Sequence, residues 1–356
     1  MSLSAWFRDV ASGQRKGMVA QVSRRVLATA EPLYRAVIHR KNWRFDAGSQ
    51  TATRVAAPVI SVGNLTVGGT GKTPLVCWLA EWFRSRGAAV TLISRGYGAK
   101  HGQPNDEALE LAARLPEVPH LQNPNRVAAA EAALQANPRQ VLILDDAFQH
   151  RRMARDLDIV LLDALAPFGY GHLLPRGLLR EPVEGLARAQ VVALSRADAI
   201  EPAARDAIRR QVAGLASRAI WLELVHRPVG LVNSIGTRQP LASLAGNRIA
   251  AFCGIGNPAG FRHTLSQCGL EVAGFREFAD HFAYTEGDLA QLARWSASLV
   301  PIAALICTRK DLVKIPRESL GGIPLWAIDI DLAIESGQEQ LEPLLAAIRS
   351  RVASGN

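Results

Sequence analysis

Short runs of consecutive apolar residues alternate with segments of helical periodicity over most of the chain. Runs of this kind are typical of strands that are buried on both faces, and the segments between them are long enough to be helical crossovers. Together they predict an α/β fold built on a parallel sheet. The predicted strands of this first series are residues 58–62, 89–94, 141–146, 159–164, 191–195 and 219–225, and the clearest predicted helices are residues 73–86, 128–134 and 201–216.

The alternation breaks near residue 226 and resumes after residue 247. The second series has predicted strands at residues 248–256, 271–278, 303–308 and 324–330 and predicted helices at residues 261–268, 285–298 and 338–352. A chain of 356 residues is long enough for two domains. The predicted division is a core domain over residues 46–225, a linker or ribbon over 226–240 and a smaller α/β domain over 241–356.

Residues 1–45 differ from the rest of the chain in charge. They hold nine Lys and Arg residues against two acidic residues, so most of the net charge of +9 lies there. Pro32 predicts the start of a second helix or a kink. A basic amphipathic helix suits an anionic membrane surface, and it also suits packing on a domain with solvated arginines. The apolar residues at helical spacing in this segment are Val19, Val22, Val26, Leu33, Val37 and Ile38.

Composition excludes several classes of protein. With 48% hydrophobic and 21% charged residues, the chain is globular rather than disordered. No uncharged apolar run is long enough to span a membrane and no secretory signal is visible, so any membrane association is expected to be peripheral. The four cysteines lack paired spacing, which favours a reducing compartment and no structural zinc. No recognition-helix or RNA-binding motif accompanies the basic charge, so we predict no nucleic-acid partner.

The most informative motif is PVISVGNLTVGGTGKTP at residues 58–74, where a strand runs into a glycine-rich loop and then into a helix. Such a loop directs backbone N–H groups and the positive end of a helix at phosphate oxygens. Lys72 would place a charge on the β- and γ-phosphates, and the Thr73 hydroxyl would ligate Mg²⁺. The predicted nucleotide-binding residues are Thr66, Gly68, Gly69, Thr70, Gly71, Lys72 and Thr73.

Charged residues follow other predicted strands. Asp145 and Asp146 end the strand at residues 141–146, at the edge where open parallel sheets bind ligands. If this strand neighbours the strand of the loop, one of the two carboxylates reaches Mg²⁺; the alternative role is a helix N-cap. Arg95 and Arg180 lie in loops expected at the same edge, where arginines hold phosphorylated substrates. We assign them to the substrate, together with Asn64 at the end of the first strand.

Asp106 and His281 are candidates for proton transfer. Asp106 precedes a predicted helix, where it also serves as an N-cap, and His281 lies between a strand and a helix of the second series. A carboxylate held by an imidazole can take a proton from an attacking hydroxyl. In this hypothesis, domain closure brings the two side chains together over the phosphate loop.

As a set, these motifs resemble the tetraacyldisaccharide 4′-kinase family, the lipid A 4′-kinases. The shared segments extend from the basic N-terminus to Asp311. In order they are SVGNLTVGGTGKTP, SRGYG, the Asp106-Glu107 pair, LDDAFQHRRMARDLDIVLLD, LLPRGLLREP, SRAD, CGIGNP and ADHFAYTEGDL. The chain departs from the family pattern at Asn105, Ala108, Ala147 and Arg309, while every predicted catalytic side chain is present.

The resemblance implies a P-loop core domain joined to a smaller α/β domain by a two-stranded ribbon. It implies transfer of the γ-phosphate of ATP to the 4′-hydroxyl of an acylated, phosphorylated glucosamine disaccharide at the cytoplasmic face of the inner membrane. Residues 1–45 then resemble the family's membrane-docking helix, and no obligate protein partner is inferred. The implied catalytic residues are Lys72, Asp106 and His281, and the implied metal ligands are Thr73, Glu107, Asp145 and Asp146.

Two other classes of P-loop protein share single motifs with the chain. Membrane-associated partitioning ATPases have a similar loop, but their signature lysine falls at the position of Val67. SRAD at residues 195–198 partly resembles the base-specificity motif of GTP-binding switches. That motif normally has a lysine at the position of Arg196. A lipid kinase transfers label from ATP to a glycolipid, whereas both alternatives only hydrolyse nucleotide.

Overall fold

The computed structural model describes residues 3–96, 105–299 and 301–354, which fall into two compact units. The larger unit comprises Arg8–Asn105, Arg114–Val225 and Ile334–Asn356. The smaller unit comprises Met1–Phe7, Asp106–Ala113 and His226–Ala333. The units differ from the predicted division in several segments; the helix that begins at Asp106 lies mostly in the smaller unit, and the C-terminal helix lies in the larger one.

The helices are α1 (Leu3–Ser12), α2 (Met18–Asp46), α3 (Lys72–Arg84), α4 (Asp106–Arg114), α5 (Arg126–Ala136), α6 (Pro202–Leu215), α7 (Pro258–Gln267), α8 (Glu286–Ala297), α9 (Arg309–Leu312) and α10 (Gln338–Ser354). The strands are β1 (Val59–Asn64), β2 (Ala89–Ser94), β3 (His120–Gln122), β4 (Gln140–Asp145), β5 (Leu157–Asp163), β6 (Val191–Ser195), β7 (Ile220–Val232), β8 (Arg238–Gln239), β9 (Arg248–Cys253), β10 (Glu271–Glu277), β11 (Ala304–Cys307), β12 (Ser319–Leu320) and β13 (Ile323–Ser336). The predicted strands and helices of both series are confirmed, although several ends differ.

The sheet of the larger unit has the strand order β7-β6-β5-β1-β4-β2-β3, and all its neighbouring strands are parallel. Strands β1, β4 and β5 are buried along their whole length, which explains why their sequences show no polar alternation. Helix α10 packs against β4 and therefore belongs to this unit. Because β4 pairs directly with β1, Asp145 lies opposite Val62, and the predicted neighbourhood of these two strands is confirmed.

The smaller unit has its own parallel strands, in the order β10-β9-β11-β13. Strand β12 adds to β13 in the antiparallel direction. Phe252, Leu292, Leu305 and Leu325 are fully buried in one core cluster of this unit. The chain passes from the larger to the smaller unit within β7 and returns within β13.

Helix α2 continues through Pro32, so the predicted start of a second helix at that residue is wrong, while the alternative of a kink stays a prediction. The break between helices falls earlier, where Gly13 and Gly17 have positive φ angles. Proline removes one backbone N–H from a helix. The neighbouring Glu31 holds this part of the helix on the larger unit, since its carboxylate accepts the Leu173 N–H at 2.9 Å.

Helix α2 has one face on the larger unit and another face in solvent. On the packed face, the Tyr34 hydroxyl donates to the carbonyl oxygen of Arg180 at 2.9 Å. Among the described residues, none of the helices combines the length and apolar character needed to cross a membrane. The exposed apolar side chains include Val19, Val22, Val26, Leu33 and Val37, which are 51–73% exposed.

Candidate active site

The phosphate loop, residues 65–71, connects β1 to α3. Gly68 and Gly71 have φ angles of +112° and +84°, a region that residues with a side chain rarely adopt. Gly71 is also the N-cap of α3, so the loop ends at the positive pole of a 13-residue helix. A glycine-rich loop that ends at a helix N-terminus forms an anion-binding site.

The side chain of Asn64 holds this loop in place. Its Nδ2 donates to the carbonyl oxygen of Thr66 at 2.7 Å and to Oγ1 of Thr70 at 3.0 Å. The Val67 N–H donates to the carbonyl oxygen of Leu178 at 2.8 Å, which ties the start of the loop to a neighbouring segment. Asn64 is fully buried. These hydrogen bonds give Asn64 a supporting role in the loop, and its predicted contact with the substrate stays a prediction.

Asp146 brings two cationic side chains together beside the loop. Lys72 Nζ lies 3.4 Å from Asp146 Oδ1, and Arg180 Nη1 donates to both carboxylate oxygens at 2.7 and 2.9 Å. Burial raises the pKa of Asp146, but Lys72 and Arg180 lower it more strongly, and the net pKa lies well below the usual range. A carboxylate shared by two cations is a weak metal ligand. Of the two neighbouring aspartates, Asp145 is therefore the better candidate for the metal.

Asp145 and Thr73 supply oxygen donors next to the loop. Asp145 is 2% exposed at the carboxyl end of β4, and Thr73 is the second residue of α3. Within residues 3–96, 105–299 and 301–354, no three His, Cys, Asp or Glu side chains form a metal-binding cluster. Mg²⁺ does not need one, because it keeps several waters and takes one or two carboxylates together with substrate phosphates. The donors present fit Mg²⁺.

Two further arginines lie near the carboxyl ends of the strands. Arg95 directly follows β2 and is exposed. Arg126, the first residue of α5, is 5% exposed, and its Nη2 donates to the carbonyl oxygen of Asp146 at 3.2 Å. Arg95 is thus accessible to an anionic substrate, whereas Arg126 supports the turn after β4. No sequence motif marks Arg126, so its role was not predictable from the sequence.

Asp106, the first residue of α4, lies beside His281 and Lys314 within the smaller unit. Its Oδ2 is 3.4 Å from His281 Nδ1 and 3.2 Å from Lys314 Nζ. Burial raises the pKa of Asp106, but the hydrogen bond with His281 and the charge of Lys314 lower it to about 2. The carboxylate is therefore ionised at neutral pH. Because α4 begins in the smaller unit, the pair forms inside one unit, and the hypothesis that domain closure brings Asp106 to His281 is wrong.

Lys314 was also missed by sequence analysis. Its side chain is 10% exposed, and its Nζ lies 3.2 Å from Asp311 Oδ1 as well as from Asp106 Oδ2. The fully buried Asp311 also accepts hydrogen bonds from the Tyr284 hydroxyl at 2.9 Å and from the Gly254 N–H at 3.0 Å. The one available sequence signal was the helical spacing of three residues between Asp311 and Lys314.

Glu107 follows Asp106 in α4 and therefore lies in the smaller unit, whereas the other three predicted metal ligands lie in the larger unit. The four predicted ligands do not belong to one compact unit. Within the smaller unit, the charge of Glu107 stabilises the Lys310 ammonium. Burial lowers the pKa of Lys310, but Asp280 and Glu107 raise it more strongly, so that this ammonium remains charged.

The central strand of a parallel sheet leads through a glycine-rich loop to Lys72 at the start of a helix, and an acidic pair ends the adjacent strand. These features define a P-loop nucleotide-binding enzyme. Residues 23–349 match the family model of Tetraacyldisaccharide-1-P 4′-kinase. The chain belongs to this family and is a kinase, which confirms the resemblance carried by its motifs. The partitioning ATPase alternative is not favoured.

Individual relatives agree with this assignment. The tetraacyldisaccharide 4′-kinase of Anaeromyxobacter sp. (strain K) is 38% identical, covering 96% of this chain and 94% of its own length. The tetraacyldisaccharide 4′-kinase of Pseudomonas syringae pv. syringae (strain B728a) is 38% identical over 81% of this chain and 84% of its own. The crystal structure of "apo" form LpxK from Aquifex aeolicus in complex with ATP has a TM-score of 0.71 and 29% identity, covering 91% of this chain and 99% of that chain. The predicted α/β P-loop fold is confirmed.

Proposed function

We propose that this enzyme transfers the γ-phosphate of ATP to the 4′-hydroxyl of a tetraacyl disaccharide 1-phosphate. Membership of the kinase family supports the reaction class and the acceptor. The residue roles are supported by the geometry of the phosphate loop, in which Gly71 caps α3 and Lys72 Nζ lies 3.4 Å from Asp146. A lysine held at the start of such a helix meets the phosphate oxygens of a bound nucleotide.

In the larger unit, the loop N–H groups and Lys72 bind the triphosphate and balance its charge. Asp146 orients the Lys72 ammonium through its ion pair, and Arg180 in turn holds the Asp146 carboxylate. Thr73 and Asp145 would hold Mg²⁺, which would supply further positive charge for the transferring phosphoryl group. Phosphoryl transfer depends mainly on positioning and charge neutralisation, so these residues account for most of the rate enhancement.

In the smaller unit, Asp106 accepts the proton of the sugar hydroxyl and His281 orients Asp106. A carboxylate whose pKa is about 2 is a weak base, but it is fully ionised and accepts a hydrogen bond from the hydroxyl. Its main effect is therefore to align the hydroxyl oxygen for attack. A loose phosphoryl transition state needs little removal of the proton before the new bond forms.

We propose that the exposed face of α2 docks the enzyme on the cytoplasmic face of the inner membrane. The exposed apolar side chains of α2 support this role, because their transfer from water into lipid has a favourable free energy. The basic residues of segment 1–45 add attraction to anionic headgroups. The acyl chains of the acceptor hold it in the bilayer, so surface binding brings enzyme and acceptor together. Arg95, which is exposed after β2, is the proposed contact to the acidic part of this substrate.

The test of this function is transfer of label from [γ-³²P]ATP to a monophosphorylated tetraacyl disaccharide in anionic mixed micelles. We expect a labelled bis-phosphorylated lipid from the wild-type enzyme and a loss of at least about 100-fold for Lys72→Met. Arg205→Met is a matched control, since it removes an ion pair with Glu223 in the same unit. Nucleotide hydrolysis without a lipid product would refute the proposal.

A further inference from the structure

Arg196, which directly follows β6, links two strands of the larger unit to the phosphate loop. Its Nε and Nη2 donate to the two carboxylate oxygens of Asp163 at 3.2 and 2.7 Å, and Nη2 also donates to the carbonyl oxygen of Gly69 at 2.6 Å. The two side chains are 7% and 8% exposed. Asp163 ends β5 and lies opposite Ser195 in β6, so the pair is anchored on neighbouring strands.

The contact with Gly69 determines the direction of one N–H group of the loop. In a planar trans peptide, the carbonyl of Gly69 and the N–H of Thr70 point in opposite directions. Holding the Gly69 oxygen on Arg196 therefore directs the Thr70 N–H away from Arg196. Glycine is conformationally permissive, so this peptide is free to rotate unless another group holds it. Asn64, which donates to Thr70 Oγ1 at 3.0 Å, holds the side chain of Thr70 but not the Gly69 carbonyl.

We propose that Arg196, oriented by Asp163, is a positioning residue that keeps the Thr70 N–H directed at the phosphate tail of the nucleotide. This inference rests on the proposed function of the loop. The guanidinium is nearly buried and its Nε and Nη2 donate to Asp163 and Gly69, so it acts through the loop backbone. The SRAD segment, which partly resembles a base-specificity motif in sequence, thereby contributes to phosphate binding.

Arg196→Met and Asp163→Asn test this role through the affinities for ATP, inorganic tripolyphosphate and adenosine. Loss of a charge-assisted hydrogen bond predicts about tenfold to a hundredfold weaker binding of ATP and tripolyphosphate. The affinity for adenosine and the Michaelis constant for the lipid should stay within about twofold, since neither ligand meets the Thr70 N–H. Arg205→Met is the control ion-pair variant and should leave all these values unchanged.

An unchanged tripolyphosphate affinity in Arg196→Met, or an equal loss for adenosine, overturns the inference. If Arg196→Met does not fold, Arg196→Lys decides the question, because it keeps the buried charge and lacks the planar fork that reaches both Asp163 and Gly69. Tripolyphosphate affinity within about twofold of wild type in that variant would also overturn it. Failure of the proposed function is distinguishable, since the wild-type enzyme would then bind no ATP or phosphorylate no lipid.

Discussion

Replacing Lys314 with methionine should destabilise the smaller unit. Methionine keeps much of the side-chain volume and removes an ammonium that lies 3.2 Å from both Asp106 and Asp311. Burial raises the pKa of Asp106, but its partners lower it from 3.8 to about 2. This shift corresponds to ~2 kcal/mol of stabilisation at neutral pH, and Lys314 supplies part of that free energy. Breaking a buried ion pair costs ~3–5 kcal/mol. Because other donors to Asp311 remain, we expect a total loss near ~3 kcal/mol.

Urea unfolding at pH 7 measures this loss. Lys310→Met is the matched control, because its partner Asp280 is 32% exposed and can be hydrated, so the expected loss is ~1 kcal/mol or less. Turnover of Lys314→Met should also fall about tenfold with little change in the Michaelis constant for ATP, since Asp106 loses one of its two orienting groups. A loss of stability no larger than that of Lys310→Met would refute the reasoning, because Asp311 would then not need its cation.

Three further predictions address the phosphate loop, the Asp106 carboxylate and the membrane. Gly71→Ala should cost ~1–2 kcal/mol in thermal unfolding and weaken ATP binding, because φ is +84° there, whereas Gly214→Ala in α6 should be neutral or stabilising. The pKa of Asp106 is lower in the folded than in the unfolded protein, so its stabilising effect is complete above about pH 4 and is lost as pH falls towards 2. In urea titrations, the stability gap between wild type and Asp106→Asn should therefore stay constant from about pH 8 to about pH 5 and shrink at lower pH. Leu33→Glu should reduce co-sedimentation with anionic liposomes about tenfold or more, while Val229→Glu, also at an exposed position, should not, and equal effects would contradict docking through α2.

The sequence by itself determined the parts of the site whose residues are contiguous in the chain. The strand, the glycines, Lys72 and the helix of the phosphate loop follow one another within residues 58–74, so their order alone identifies the motif. The buried strands were predictable because burial on both faces removes polar alternation, as in β1 and β4. The location of the Asp145-Asp146 pair followed from the same pattern, since the end of an apolar run marks the edge of the sheet, but the pattern did not distinguish the two residues.

Only the tertiary structure decided which distant residues meet. Asp106 lies among the core strands in sequence but joins His281 and Lys314 in the smaller unit. The contact of Arg196 with Gly69 depends equally on the order in which the strands pair. Periodicity reports which side of a helix or strand is buried, but it carries no information about the partner against which that side packs. Which helices and strands pack on one another depends on contacts between residues that are remote in sequence, and only the folded structure shows these contacts.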